Sequence, residues 1–127
     1  MDKPINLKLV YAALVKIMKK HEKNLKVSTD NKSNYLLTGP MSKKFKKELW
    51  FGGVQIKKNY VSYHLMPVYM YSDLVKEIPI ELKKRMQGKS CFNFKKIDKD
   101  LFRQLAELTD KSYKTFKQRG DNINYNC

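Results

Sequence analysis

Leu49-Trp50-Phe51-Gly52-Gly53-Val54-Gln55-Ile56-Lys57-Lys58-Asn59-Tyr60-Val61-Ser62-Tyr63-His64-Leu65-Met66 is the stretch on which the fold turns. Two β-prone runs flank Lys58-Asn59, and asparagine tolerates the positive φ that a tight hairpin asks for. A two-residue loop there pairs Lys57 with Tyr60, Ile56 with Val61, Val54 with Tyr63, Gly53 with His64 and Gly52 with Leu65. Side chains alternate along a strand, so Trp50, Val54, Ile56, Val61, Tyr63 and Leu65 are expected on one apolar face. Phe51, Gly53, Gln55, Ser62, His64 and Met66 then share a mixed face, and a one-residue slip would scramble the division.

Upstream, Ile5, Leu9, Ala13 and Ile17 recur at helical spacing, with Val10 and Leu14 beside them and lysines mostly elsewhere, which predicts an amphipathic helix from about Pro4 to Asn24. Leu25 to Thr29 reads as a short strand, Asp30-Asn31-Lys32-Ser33 as a turn and Tyr35-Leu36-Leu37 as its partner strand. Gly39-Pro40 is expected to break the chain, and Met41 to Lys47 to form a mobile basic loop. Downstream, Pro67 ends the second long strand, and Ser72 to Met86 reads as short helical pieces interrupted by Pro79. After Gly88, the alternation in Lys89-Ser90-Cys91-Phe92-Asn93-Phe94-Lys95 predicts a last strand with Phe92 and Phe94 on one side and Cys91 and Asn93 on the other. Asp98 is a suitable N-cap for a closing helix in which Leu101, Phe102, Leu105, Leu108, Tyr113 and Phe116 keep helical spacing.

Each apolar stripe needs a covering layer, so the pattern predicts an α+β two-layer sandwich, with the N- and C-terminal helices packed on the apolar face of an antiparallel sheet. One domain over residues 1–117 and a polar tail over 118–127 account for the 127 residues. The longest apolar run, Leu9 to Val15, is too short to cross a bilayer, and Met1-Asp2-Lys3-Pro4 lacks a signal-peptide layout. Cys91 and Cys127 are the only cysteines and do not make a disulfide framework, so a cytoplasmic location without membrane contact is expected.

The mixed face is where a site is expected, with Gly52 and Gly53 leaving room for approach, unless the segment Ser72 to Met86 covers it. Placement on or beside this face singles out His64, Tyr69, Lys89 and Cys91 as candidate ligand-binding residues. His64 and Cys91 suggest a thiol–imidazole pair, but no Asp or Asn partner is identifiable, and no catalytic residue or enzymatic activity is predicted. Gly88-Lys89-Ser90 echoes a phosphate-binding loop, but it enters a strand instead of opening a helix. No cofactor is predicted from spacing: the same two residues supply half of a tetrahedral metal site, and the acids, from Glu22 to Asp73, Glu77, Glu81, Asp98, Asp100, Glu107 and Asp110, are dispersed.

Phe51-Gly52-Gly53-Val54-Gln55-Ile56-Lys57, Tyr60-Val61-Ser62-Tyr63-His64-Leu65-Met66-Pro67-Val68-Tyr69 and Leu82-Lys83-Lys84-Arg85-Met86-Gln87-Gly88-Lys89-Ser90-Cys91-Phe92-Asn93-Phe94-Lys95 together resemble the bacterial YdhG-like family, from about Leu49 to Phe116. The resemblance implies a frataxin-like fold and a small binding or delivery module. One branch of that family is regarded as an intracellular iron chaperone, so iron and a protein acceptor are the cargo and partner it implies. A different class of function follows from the net charge of +15: a non-specific nucleic-acid-binding module using Lys43 to Lys47, Lys57 and Lys58 with Tyr60, Tyr69, Tyr71, Phe45 and Phe51 as stacking surfaces. Only three of its 27 basic residues are arginines, which argues against base-edge readout and leaves solvated surface lysine as the plain alternative. A protein-interaction adaptor working through the mixed face or the segment around Pro79 is the third reading.

Overall fold

The computed structural model describes residues 7–44, 46–88 and 90–120, without the side chains of Pro40 and Met41. Helix α1 (Leu7–Lys19) is followed by a 3₁₀ turn (Glu22–Asn24) and by strands β1 (Lys26–Asp30), β2 (Asn34–Ser42), β3 (Lys47–Ile56) and β4 (Val61–Leu65). Then come α2 (Met66–Met70), a 3₁₀ segment (Ser72–Glu77), α3 (Ile80–Lys83), β5 (Met86–Gln87), β6 (Cys91–Phe94) and α4 (Lys99–Arg119). The six strands form one antiparallel sheet in the order β1-β2-β3-β4-β6-β5.

The central hairpin has the register that its sequence predicts, from Gly52 opposite Leu65 to Ile56 opposite Val61. The Lys57 N–H donates to Tyr60 O at 2.8 Å to close it. Asn59 does not supply a left-handed residue; among the described non-glycine residues only Lys46 has positive φ. β4 and β6 pair Tyr63 with Phe92 and Val61 with Phe94, so one face of the sheet carries a continuous aromatic and aliphatic layer. Helix α4 lies on it: the Tyr63 hydroxyl is 2.7 Å from Thr109 Oγ1, and Phe94 meets Phe102 edge to face. The Asp98 carboxylate caps α4 by accepting the Leu101 N–H at 3.0 Å, as its position predicts. The helix continues to Arg119, into the tail expected from Gln118, and Gly120 at φ 52° follows it.

The expected sorting of β3 fails at one place. Leu37 of β2 pairs with Gly52 and Thr38 with Trp50, which leaves Phe51 as an extra residue. A bulge of this kind turns two successive side chains the same way. Phe51 is therefore fully buried under the helices, in ring contact with His21, Tyr113 and Phe116, while Trp50 swings to the opposite face beside His64. Gly52 sits under α1, where a Cβ would come within 2.5 Å of His64 O and 2.9 Å of Met18 Cε. The layer architecture survives because Phe51 fills the place expected for Trp50.

Three other expectations change. Gly39-Pro40 does not end β2; the ladder skips both residues, resuming at Met41 opposite Glu48, which is how a strand accommodates a proline without an N–H. Much of the basic loop expected from Met41 to Lys47 is consequently strand or turn. The segment around Pro79 does contain short helical pieces, but α2, α3 and the 3₁₀ segment pack against α4 instead of covering the mixed face. Leu74, Ile78 and Leu82 join the main core, and Arg119 and Tyr71 tie this segment to the end of α4. The mixed face is thus left without a helical layer of its own.

Candidate functional site on the uncovered sheet face

His64 on β4 and Cys91 on β6 are directly opposite cross-strand partners, and Cys91 Sγ lies 2.9 Å from His64 Nδ1. Both side chains are half-buried. The Trp50 ring lies 5.2 Å from the imidazole at a 40° tilt and is held by its own Nε1–H, which donates to Gly52 O at 2.9 Å. Ser62, almost wholly buried, lies two residues before His64 on the same face. Gly53, opposite His64, does not leave an opening: a Cβ there would fall 2.3 Å from Leu36 Cδ2, so Leu36 already fills that space.

Burial pushes the Cys91 thiol up from its ordinary pKa, against the smaller opposing effects of the Ser90 and Ser62 hydrogen bonds and the positive Lys57. Burial, reinforced by the charge of Lys57, pushes the His64 imidazole down. At neutral pH the two groups are accordingly a thiol and a neutral imidazole, with the S–H donating to Nδ1 when the ring proton is on Nε2. This is not the thiolate–imidazolium pair that activates a cysteine nucleophile. It is a pair of lone-pair donors, one of which must lose a proton to bind a metal ion.

The lowered His64 pKa has an optical consequence, because Trp50 is the only tryptophan and an imidazolium beside an indole quenches its emission. Trp50 emission should be constant from neutral to mildly alkaline pH and fall only as pH drops below the ordinary histidine value of about 6.5. His64→Gln should abolish the step. A step at or above the ordinary value, or one that persists in the variant, would contradict this environment.

Of the other sequence-predicted site residues, Tyr69 is carried by α2, which packs on β3 and α4, and so does not belong to the strand face. Lys89 and Cys127 lie outside the described residues, as does Phe45. Among the proposed stacking aromatics, Phe51 and Tyr71 are fully buried, which removes both as platforms for a base. Trp50 is instead the half-buried aromatic beside His64, a placement that strict alternation hides because of the bulge. Among the described residues no three His, Cys, Asp or Glu side chains gather into a metal-binding group, and no helix is long and apolar enough to cross a membrane. Compared with known proteins, the chain matches no family model, no curated protein and no solved structure.

Proposed function

We propose that the protein is a small binding and delivery module of the YdhG-like, frataxin-like kind, whose cargo is a transition-metal ion taken up by Cys91 and His64 on the uncovered sheet face. The observation that carries this reading is the 2.9 Å approach of Sγ to Nδ1 on a face that no helix covers. Thiolate and imidazole together suit borderline and soft ions, and imidazole also accepts ferrous iron. Tetrahedral binding to both donors sets them about 3.6 Å apart, so the pair must part by roughly 0.7 Å from its 2.9 Å separation, a rotamer-scale adjustment. Two protein donors leave the remaining coordination positions to water or to an acceptor's ligands, which is the arrangement a transient carrier requires. The electrostatics favour cargo binding over nucleophilic catalysis, since the resting thiol is protonated.

Anaerobic titration with Co(II), followed by the sulfur-to-cobalt charge-transfer band, and parallel calorimetry with Fe(II) and Zn(II) test the reading. One equivalent should bind with micromolar to submicromolar affinity and release a proton. A flat titration for all three ions would overturn it.

A second reading keeps the same face but changes its ligand to single-stranded nucleic acid, stacked on Trp50 with phosphates on Lys57 and the general positive field. Retention on a single-stranded polynucleotide that quenches Trp50 and falls steeply with salt would favour it. Weak retention already at low salt would remove it.

A further inference from the structure

A concavity lies away from the Cys91–His64 pair, where the start of β1, the irregular part of β2 and the last turns of α4 meet. It encloses about 610 Å³, and its wall includes Lys23, Lys26, Thr38, Tyr113, Phe116 and Lys117. The geometry points to a binding site for a small organic anion with an apolar, ring-sized body.

Two observations carry this. The apolar part is prebuilt: Phe116 is buried in edge contact with Phe51, and Tyr113, partly exposed, packs edge-on against the same ring, so Tyr113 with the rim of Phe116 forms a rigid aromatic wall. Gly39 belongs to that wall, because a Cβ there would lie 2.4 Å from the Phe116 ring. The charged rim is unbalanced. Lys26 is paired with Glu48 at 3.3 Å, whereas Lys23 and Lys117 have no carboxylate partner among the described residues. Lys117 also belongs to the last turn of α4, where its charge opposes the negative end of the helix dipole that an anion would otherwise meet.

A carboxylate or sulfonate group between Lys23 and Lys117 has its charge neutralised by the two unpaired ammonium groups. An aromatic or short aliphatic body fits against Tyr113 and Phe116, as small-ligand sites combine an apolar lining with a few placed polar groups.

Naphthalene-2-sulfonate is the probe, with uncharged 2-naphthalenemethanol as its control, titrated into the full chain with backbone amide shifts recorded by NMR. Shifts should cluster at Thr38, Gly39, Phe116 and Gly120, and the sulfonate should bind at least five-fold more tightly than the alcohol. The double variant Lys23→Gln/Lys117→Gln, altered only at exposed side chains, should lose that preference. Cys91→Ser should leave sulfonate binding unchanged, which separates this site from the metal-binding reading. Equal binding of the two probes, insensitivity to the lysine substitutions, or shifts centred on Trp50 and His64 would each overturn the assignment.

Discussion

Phe51→Ala should destabilise the protein by about 3–5 kcal/mol, the usual cost of emptying a buried aromatic site. The neighbouring Trp50→Ala should cost no more than about 2 kcal/mol, because that ring is already partly in water and its removal opens no closed cavity. Phe51 has no exposed surface and touches rings from the chain following α1 and from α4, so its loss loosens the contact between sheet, first helix and last helix together. Against a total stability of roughly 5–15 kcal/mol for a domain of this size, the first substitution removes a large share and the second a small one. Urea denaturation followed by far-ultraviolet circular dichroism measures both, since one variant lacks the tryptophan. The reverse order of costs would mean that β3 runs without its bulge and that Trp50 faces the helices.

Cys91→Ser should lower metal affinity by at least about 100-fold, given that disturbing even the outer partners of metal ligands commonly costs 10–100-fold. His64→Gln should do the same. The substituted hydroxyl remains protonated at neutral pH and is a poor donor for borderline ions, while a glutamine amide supplies no imidazole lone pair. Neither substitution should move stability by more than about 1.5 kcal/mol, since each removes one neutral hydrogen bond from a half-buried pair. Calorimetric metal titration beside thermal unfolding reads the two quantities separately. Large destabilisation with unchanged metal binding would return both residues to a structural role.

The hairpin was legible because its two strands alternate cleanly around Lys58-Asn59, and that register alone brings His64 opposite Gly53 and allows Cys91 to reach it from the last strand. Capping of α4 by Asp98 was equally local. The bulge at Phe51 was not, since the extra residue is fixed by pairing with β2 and by Met18 lying over Gly52, both distant in sequence. The passage of β2 through Gly39-Pro40 was hidden for a similar reason: the gap in its ladder is absorbed by a long-range partner. Short α2 and the two-residue β5 carry too few residues for a period to show. The cavity wall assembles Lys23, Thr38 and Lys117 from three separated segments, so no motif announces it.

Placement of Trp50 on the uncovered face, beside the thiol–imidazole pair, is the claim on which the architecture and the metal-binding proposal both depend. Acrylamide quenching of its fluorescence tests that placement directly. The uncovered face requires clear acrylamide quenching in the folded state, intermediate between that of a fully buried indole and that of the unfolded chain. Blue-shifted emission protected from acrylamide until the protein unfolds would put Trp50 beneath the helices and contradict the account.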